Sequence, residues 1–274
     1  MSVTITAADI NKLRQTTGAG MLDCRKALTE SNGDFEAAID WLRKQGQKVA
    51  AKRSDREAKE GVVIAQTTAD HTSGIVLCLS AETDFVSRNP EFVAFAQTIA
   101  DAAIANNVKT AEELKAAKVG TETVADMIND KLAAIGEKIE LSRFERVDAP
   151  FVASYIHGAY RMGVLVSMTK EAADAGKDVA MQIAAMNPLA VDETSISQET
   201  KDREKAIAIE MIKAEGKPAE MAEKIADGKM NKFFKDNTLM AQAFVKDNSK
   251  SVADYLKSVD ADLKVTDFKR VALG

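Results

Sequence analysis

Residues 74–90 read GIVLCLSAETDFVSRNP and contain a strand, a short connection and the start of a helix. The apolar run over residues 74–82 is typical of a buried strand, and Asn89 followed by Pro90 is typical of a helix N-terminus. Residues 83–86 are therefore predicted to form a strand-to-helix loop that carries a carboxylate and a large aromatic ring. Such loops present functional groups on a rigid scaffold. A lone aromatic is more often a core residue, so Phe85 has two interpretations, core or functional site.

The composition is that of a globular protein with room for about two domains. The chain has 274 residues and a formal net charge of −5, and domains typically hold ~100–200 residues. Its two cysteines, Cys24 and Cys78, lie in apolar patterns and are interpreted as buried thiols in a reducing compartment. Neither a disulfide nor a metal site is predicted, because no second Cys or His lies at ligand spacing.

The hydropathy pattern and the N-terminal stretch together predict a cytoplasmic protein. No apolar run approaches the ~20 residues that a membrane-spanning helix needs. Residues 1–6 lack the basic and apolar regions of a signal peptide.

A basic segment covers residues 43–59, where seven Lys or Arg residues accompany only Asp55 and Glu57. One interpretation is a solvated, partly helical linker. The other is a patch for an acidic partner or for ribosomal RNA, which makes a ribosome- or RNA-associated protein the alternative function. The acidic overall balance and the lack of an aromatic-basic platform weigh against that alternative. RNA binding of this kind would fall steeply with salt.

The first 45 residues or so contain three short helical patterns. Thr6 and Asp9 have the spacing of a capping box ahead of the first helix, and residues 18–20 (Gly-Ala-Gly) end it. A second helix is predicted over residues 22–31, and Asp34 can cap a third. Small helical modules of this size commonly recognise another protein.

Residues 61–190 show a hairpin followed by a helix twice. Strand-like runs at 62–65 and 74–79 precede a helix that begins at Pro90, and a third strand is predicted around 139–147. Strand-like runs at 151–157 and 163–168 precede a helix over 178–186. This repetition predicts an α+β fold with a duplicated core.

Two amphipathic helices over residues 197–214 and 218–234 predict an antiparallel helical hairpin. A helix around residue 255 and a last strand over residues 263–271 follow, so the hairpin is predicted to be inserted in the second core half. The apolar side chains expected to face one another are Ile207, Met211 and Ile212 on one helix and Met221, Ile225 and Met230 on the other.

The predicted organisation has four parts and a linker. They are a three-helix domain at 1–46, a basic linker at 47–60, a first core half at 61–148, a second core half at 149–190 and 237–274, and the inserted helical hairpin at 191–236.

No catalytic apparatus is recognisable. The chain has no P-loop, and residues 18–20 lack the third glycine and the βαβ setting of a dinucleotide loop. His71 and His157 have no nucleophile at a readable spacing, and a structural or interface role is predicted for His157. No catalytic residue, cofactor or metal ligand is predicted, and the chain is interpreted as an interaction protein.

Three stretches resemble the signatures of one family, bacterial translation elongation factor Ts. Residues 13–28 (LRQTTGAGMLDCRKAL) resemble its N-terminal signature, and residues 82–86 (ETDFV) resemble its second. Residues 154–158 (SYIHG), followed by GVLV at 163–166, resemble its third. The three occur in the family's order and at its spacing, and the match extends over nearly the whole chain.

The resemblance implies a ubiquitin-associated-like N-terminal domain, a duplicated α+β core and a helical hairpin inserted in its second half. It also implies a partner, the GTPase elongation factor Tu, in its GDP-bound and nucleotide-free forms. The implied activity is guanine nucleotide exchange: GDP is released by displacement of Mg²⁺ and stabilisation of the nucleotide-free GTPase, and GTP then loads. Such a factor is not an enzyme. A homodimer or a two-to-two complex with the partner is compatible with this family.

The resemblance also implies roles for individual residues. His157 is expected where the second core half contacts another domain of the partner. Residues expected to contact a helix of the partner's nucleotide-binding domain are Arg14, Gly18, Met21 and Leu22. Residues expected beside the partner's magnesium site are Thr83, Asp84, Phe85 and Val86, with Asp84 and Phe85 at the tip.

Overall fold

The structure is a computed structural model that describes residues 4–53, 55–216 and 218–274. Residues 1–3 of the N-terminal stretch, Ser54 of the predicted linker and Lys217 of the predicted hairpin loop lie outside the described residues. Helices alternate along the chain with strands that form small antiparallel sheets, which confirms the α+β class. Among the described residues, no helix is long and apolar enough to cross a membrane.

Three helices form the N-terminal part: α1 (Ala7–Thr17), α2 (Met21–Glu30) and α3 (Phe35–Arg53). The predicted capping box is confirmed, because the Asp9 N–H donates to Thr6 Oγ1 and the Thr6 N–H donates to the Asp9 carboxylate. Leu13, Cys24 and Leu28 are among the buried side chains of their common core. Helix α3 continues through the first part of the segment predicted as a linker, so that segment is helical as far as Arg53.

The next part contains a three-stranded antiparallel sheet with β2 in the centre, in the order β1-β2-β5. Helices pack on one of its faces, where Phe92 and Ile99 are fully buried. Its elements are β1 (Glu60–Thr67), β2 (Ser73–Ala81), α4 (Asp84–Ser87), α5 (Pro90–Ala105), α6 (Ala111–Ala116), β3 (Lys118–Val119), β4 (Glu122–Thr123), α7 (Val124–Ile135) and β5 (Ile139–Asp148).

The last part repeats this connectivity, because its sheet has the order β10-β7-β6 with the second strand of the hairpin in the centre. Helix α8 follows the hairpin, and the third strand returns after the helical hairpin. Its elements are β6 (Phe151–His157), β7 (Met162–Met168), α8 (Ala173–Met186), a 3₁₀ turn (Glu193–Ser195), α9 (Gln198–Ala214), α10 (Ala219–Asn237), β8 (Ala243–Phe244), β9 (Asp247–Ser251), α11 (Val252–Val259) and β10 (Val265–Ala272).

The two sheets pack against each other through a shared apolar layer that includes Val76 and Val152. Two glycines permit the close approach. A Cβ added at Gly74 would lie 2.8 Å from Val152 Cγ1, and one added at Gly163 would lie 2.8 Å from Val76 Cγ2. The glycine of each sheet therefore accommodates a valine of the other, and the sheets are held in a fixed relation.

The predicted helical hairpin is present, but part of its predicted seam was wrong. Ile207, Met211 and Met221 are 42%, 55% and 54% exposed. Ile212 is fully buried, Met230 is buried and Ile225 is partly buried, as predicted. The rest of the α9–α10 interface is formed by the small residues Ala208, Ala222 and Ala226, which let the two helices approach closely and leave the larger side chains outside.

Candidate functional site

The connection after β2 is one turn of helix, α4, so the prediction of an irregular loop was wrong for residues 84–87. Thr83 is extended (φ −124°, ψ 155°) and forms the N-cap. The Arg88 N–H donates to the Asp84 carbonyl at 2.9 Å, and the Ser87 hydroxyl donates to the same carbonyl. Asn89 and Pro90 then begin α5 as predicted, with the Glu91 N–H donating to Asn89 Oδ1.

Phe85 is the most exposed large apolar side chain described, at 86%. The next residue, Val86, packs against the first apolar core, and Ser87 is buried. The turn is thus fixed to the body on one side and presents the phenyl ring to solvent on the other. Arg88 pairs with Asp84 at 3.1 Å, so the carboxylate at the tip already has a cationic neighbour. Exposure of this size excludes the core interpretation of Phe85.

Two carboxylates hold the segment that precedes Phe85. The Glu137 carboxylate accepts hydrogen bonds from the Thr83 N–H (3.1 Å) and from the Thr83 hydroxyl (2.9 Å). In the opposite direction, the Glu82 carboxylate accepts the Lys138 N–H at 2.6 Å. Residues 82–83 and 137–138 therefore exchange carboxylate-to-amide hydrogen bonds. We call these four residues the carboxylate clamp; sequence reasoning missed it because its halves lie more than 50 positions apart.

Glu82 also binds the end of the N-terminal part. Its carboxylate accepts from Arg53 Nη1 at 2.7 Å and from Arg56 Nη1 at 3.0 Å, and its side chain is only 13% exposed. Burial acts to raise the pKa of the Glu82 carboxyl, but the hydrogen bonds from Lys138, Arg53 and Arg56 outweigh it and lower the pKa to about 2. Glu82 is therefore ionised in the folded protein at neutral pH.

The low pKa of Glu82 predicts how the stability of the protein depends on pH. Because the pKa of Glu82 is lower in the folded protein than its ordinary value of 4.5, its contribution to stability is complete above that pH and is lost as pH falls towards about 2. Glu82→Gln should therefore lose less unfolding free energy than the wild type between about pH 5 and pH 3 in urea titrations. The Arg146 side chain holds the pKa of Asp148 well below its usual range, and the loss of stability caused by protonation of Asp148 is the same in both proteins. If the unfolding free energies of the two proteins fell in parallel with pH, the low pKa of Glu82 would be contradicted.

The first signature forms a tight turn between α1 and α2. Gly18 ends α1 in the left-handed conformation (φ 68°), and its N–H donates to the Arg14 carbonyl. Gly20 is the N-cap of α2, so the side chains of Met21 and Leu22 project from its first turn and are 49% and 80% exposed. Arg14 is exposed as well. All four residues of the first signature that are expected to contact the partner are therefore accessible.

A cleft of about 770 Å³ lies where α1, α3, α4, α5 and α7 meet. Gly18 of the first signature and Phe85 and Val86 of the second all line it. Ile135, at the end of α7, is 38% exposed and lines this cleft as well. The cleft thus brings together two stretches that are 60 positions or more apart in sequence.

Ion pairs and a close contact fasten α3 to the core beside this cleft. Arg43 forms a salt bridge with Glu122, and its Nε lies 3.5 Å from Asp130. A Cβ added at Gly46 would lie 2.8 Å from the Ala133 Cβ, so α3 and α7 are in tight contact. Three arginines of the basic segment therefore already bind acids of the protein itself. Arg43 pairs with Glu122 and Asp130, and both Arg53 and Arg56 pair with Glu82.

His157 lies in the second half of the core, at the exposed end of β6, and is not among the residues that line the cleft. Its Nδ1 is 2.9 Å from the Tyr155 hydroxyl. The turn that follows contains three successive residues with positive φ, Gly158 (63°), Ala159 (52°) and Tyr160 (68°). The Tyr160 carbonyl accepts the Val63 N–H of β1, so this turn joins the two sheets.

Within the described ranges, no group of three or more His, Cys, Asp or Glu side chains is arranged to hold a metal ion. Both cysteines are buried and free, as predicted.

Comparison with known proteins gives the family. A sequence model described as Elongation factor TS matches residues 82–274. The elongation factor Ts of Christiangramia forsetii is 50% identical over 273 residues, which cover 98% of this chain and 99% of the relative. That of Flavobacterium psychrophilum is 51% identical over 274 residues, 99% of each chain. That of Xanthobacter autotrophicus is 47% identical and covers 98% of this chain and 92% of the relative. The chain therefore belongs to the elongation factor Ts family, whose members act in the elongation step of protein biosynthesis.

Proposed function

We propose that this protein is a guanine nucleotide exchange factor that binds elongation factor Tu·GDP and promotes GDP release, so that GTP can load. The observation that carries the proposal is the phenyl ring of Phe85, 86% exposed on a helical turn that the core holds on its other side. An apolar ring held in water on a fixed support is suited to insertion into a partner. No catalytic group is required of the factor, because the nucleotide leaves unchanged.

The thermodynamic basis of exchange is linkage. A factor that binds the empty GTPase more tightly than the nucleotide-bound form weakens nucleotide affinity by the same ratio. Each tenfold change requires ~1.4 kcal/mol of differential contact. Contacts that exist only when the nucleotide site is deformed supply that difference, and Phe85 is the side chain best placed to make them.

Displacement of the partner's Mg²⁺ is the step that we assign to Phe85. Mg²⁺ requires near-ideal octahedral geometry, so a ring inserted between helices that moves ligand-bearing segments by about 1 Å is enough to weaken its binding. Without Mg²⁺ the diphosphate is less well neutralised and dissociates faster. Asp84 adds negative charge near the same place. Because Arg88 pairs with Asp84 on an exposed surface, we expect the charge to contribute less than the ring.

The other signatures provide the remaining contacts. We assign Arg14, Gly18, Met21 and Leu22 to the partner's nucleotide-binding domain, and their exposure supports this assignment. The cleft that Gly18 shares with Phe85 supports a single binding surface for the first two signatures. His157 is assigned to a separate contact with another domain of the partner.

The finer description of the fold belongs to the same proposal. The three N-terminal helices are assigned a ubiquitin-associated-like fold, with the domain boundaries given above. The identical connectivity of the two sheets supports a core that arose by duplication. We place the protein in the cytoplasm, as a homodimer or in a two-to-two complex with elongation factor Tu.

The proposal predicts that the chain accelerates release of fluorescently labelled GDP from elongation factor Tu in a stopped-flow experiment. The observed rate should rise with the concentration of the chain and reach a plateau. Because Mg²⁺ loss precedes GDP loss, raising free Mg²⁺ should lower the accelerated rate. An equal amount of bovine serum albumin serves as the control for crowding. Release at the intrinsic rate across the whole titration would overturn the proposed function.

A further inference from the structure

We infer that the carboxylate clamp sets the direction of Phe85, and that Glu137 is a positioning residue for nucleotide exchange. This inference rests on the proposed function and names the part of the fold that makes Phe85 effective. It concerns residues 82–83 and 137–138, none of which is expected to touch the nucleotide.

The turn that carries Phe85 cannot fix its own direction. Helix α4 has four residues, fewer than a helix needs to be stable by itself. Its N-cap residue, Thr83, does not bond to the helix with its side chain. The orientation of α4 must therefore come from outside, and Val86 in the core with buried Ser87 attaches only the side that follows Phe85.

The clamp supplies the second attachment at the N-terminus of α4. Glu137 takes both the N–H and the hydroxyl of Thr83, and these two bonds are made two residues before Phe85. Bonds between a carboxylate and a backbone N–H are among the stronger hydrogen bonds in proteins. Attachments on both sides of Phe85 along the chain fix the direction of the ring, whereas Val86 and Ser87 hold only the side that follows it.

The clamp also connects the turn to both sides of the cleft. Glu137 directly follows Gly136, which ends α7 in the left-handed conformation (φ 78°). On the other side, Glu82 binds Arg53 at the end of α3. The direction of Phe85 therefore depends on the ends of the two helices that Arg43 and Gly46 hold together. A partner that contacts the first signature thus meets a ring whose position is fixed relative to that contact.

Glu137 is the residue that tests this inference. Among the described residues, the Glu137 carboxylate accepts hydrogen bonds from Thr83, whereas Glu82 also binds Arg53 and Arg56, so changes at Glu82 disturb α3 as well. Glu137→Ala removes the bonds to the Thr83 N–H and hydroxyl. Glu137→Gln keeps a side-chain oxygen that can accept one of them. Glu113→Ala is a matched control, because the carboxylate of Glu113 in α6 likewise accepts a backbone N–H, from Lys109.

The experiment measures the plateau rate of labelled GDP release and the half-saturating concentration for each variant. We expect Glu137→Ala to lower the plateau rate about threefold or more while the half-saturating concentration changes less than about twofold, since the ring is misdirected but the other contacts remain. Glu137→Gln should recover much of the loss, and Glu113→Ala should match the wild type. In a Phe85→Ala background, Glu137→Ala should have no further effect, because there is no ring left to direct.

The outcomes separate the inference from the proposed function. If the wild type does not accelerate GDP release, the proposed function fails. If the wild type is active and Phe85→Ala is impaired, two results would contradict the positioning role. One is full activity of Glu137→Ala. The other is that Glu137→Ala lowers the plateau rate by the same factor in the Phe85→Ala background as in the wild type. Urea unfolding of Glu137→Ala identifies a loss of folding, and in that case Glu137→Asp, whose shorter side chain retracts the carboxylate from Thr83, carries the same comparison.

Discussion

Phe85→Ala is expected to lower the plateau rate of GDP release from elongation factor Tu by about tenfold or more, which corresponds to ~1.4 kcal/mol of lost transition-state contact. The physical reason is that the phenyl ring makes its contacts only when the partner's magnesium site is deformed, so its loss falls on the rate of release. The free energy of unfolding should change little, because the ring is 86% exposed. Stopped-flow release and urea unfolding of the same preparation provide the two measurements.

Three further variants show whether shape or charge is responsible. Leu189→Ala removes another exposed apolar side chain (59%) from the second half of the core and should leave the rate unchanged. Asp84→Asn removes charge and keeps shape, whereas Asp84→Ala removes both. We expect both Asp84 variants to lose less activity than Phe85→Ala. A rate of release from Phe85→Ala equal to that of the wild type would exclude the ring as the displacing group.

Gly163→Ala is expected to destabilise the protein by about 1–3 kcal/mol, the usual cost of an added methyl group in a closely packed core. The new Cβ would lie 2.8 Å from Val76 Cγ2, 2.9 Å from Val63 Cγ1 and 3.1 Å from the Ala65 Cβ. All three neighbours belong to the opposing sheet, so the sheets must separate to admit it. The free energy of unfolding in urea measures the effect.

Gly228→Ala is the matched control, since it makes the same chemical change in an open place. Gly228 lies within α10, and a Cβ added there has no neighbour within 4 Å. Alanine favours helix over glycine, so this variant should be stabilised by up to ~1 kcal/mol. If both variants changed stability in the same direction, the close packing of the two sheets would not be the cause at Gly163.

Local signals predicted much of the secondary structure. Thr6, Asp34 and Asn89 were identified as helix N-terminal residues from the local sequence alone, and each accepts the expected backbone N–H. The hairpins were found because each pairs two apolar runs across a short polar turn. These features depend on neighbours within a few residues, which is why one sequence suffices to find them.

Features that depend on distant partners were not predictable in the same way. The carboxylate clamp joins residues 82–83 to residues 137–138, and no local pattern marks Glu137 as different from other acids. In the seam of the helical hairpin, Ile212 was predicted correctly but Ala208, Ala222 and Ala226 were not, because the approach of the two helices decides which small residues fit. The strands β3, β4 and β8 have two residues each, too few to produce a period, and β9 (Asp247–Ser251) is polar throughout.

For the candidate site, the sequence proposed residues but could not give their geometry. Phe85 is exposed, so the core interpretation that its residue type alone favoured is wrong. The role that the resemblance implies for Phe85 requires such exposure and stays a prediction. That residues 84–87 form a helical turn could not be predicted, because a single turn depends on attachments outside itself. The cleft shared by Gly18 and Phe85 is a property of tertiary packing.

The left-handed turn after β6 has a consequence for solubility. Strand β1 is the outer strand of its sheet, so one of its edges presents unpaired backbone groups that another chain could use for strand addition. The Tyr160 carbonyl occupies the Val63 N–H on that edge. The positive φ angles of Ala159 and Tyr160 carry an energetic cost. In return, the turn blocks intermolecular β-pairing at the middle of β1, which protects the chain against aggregation.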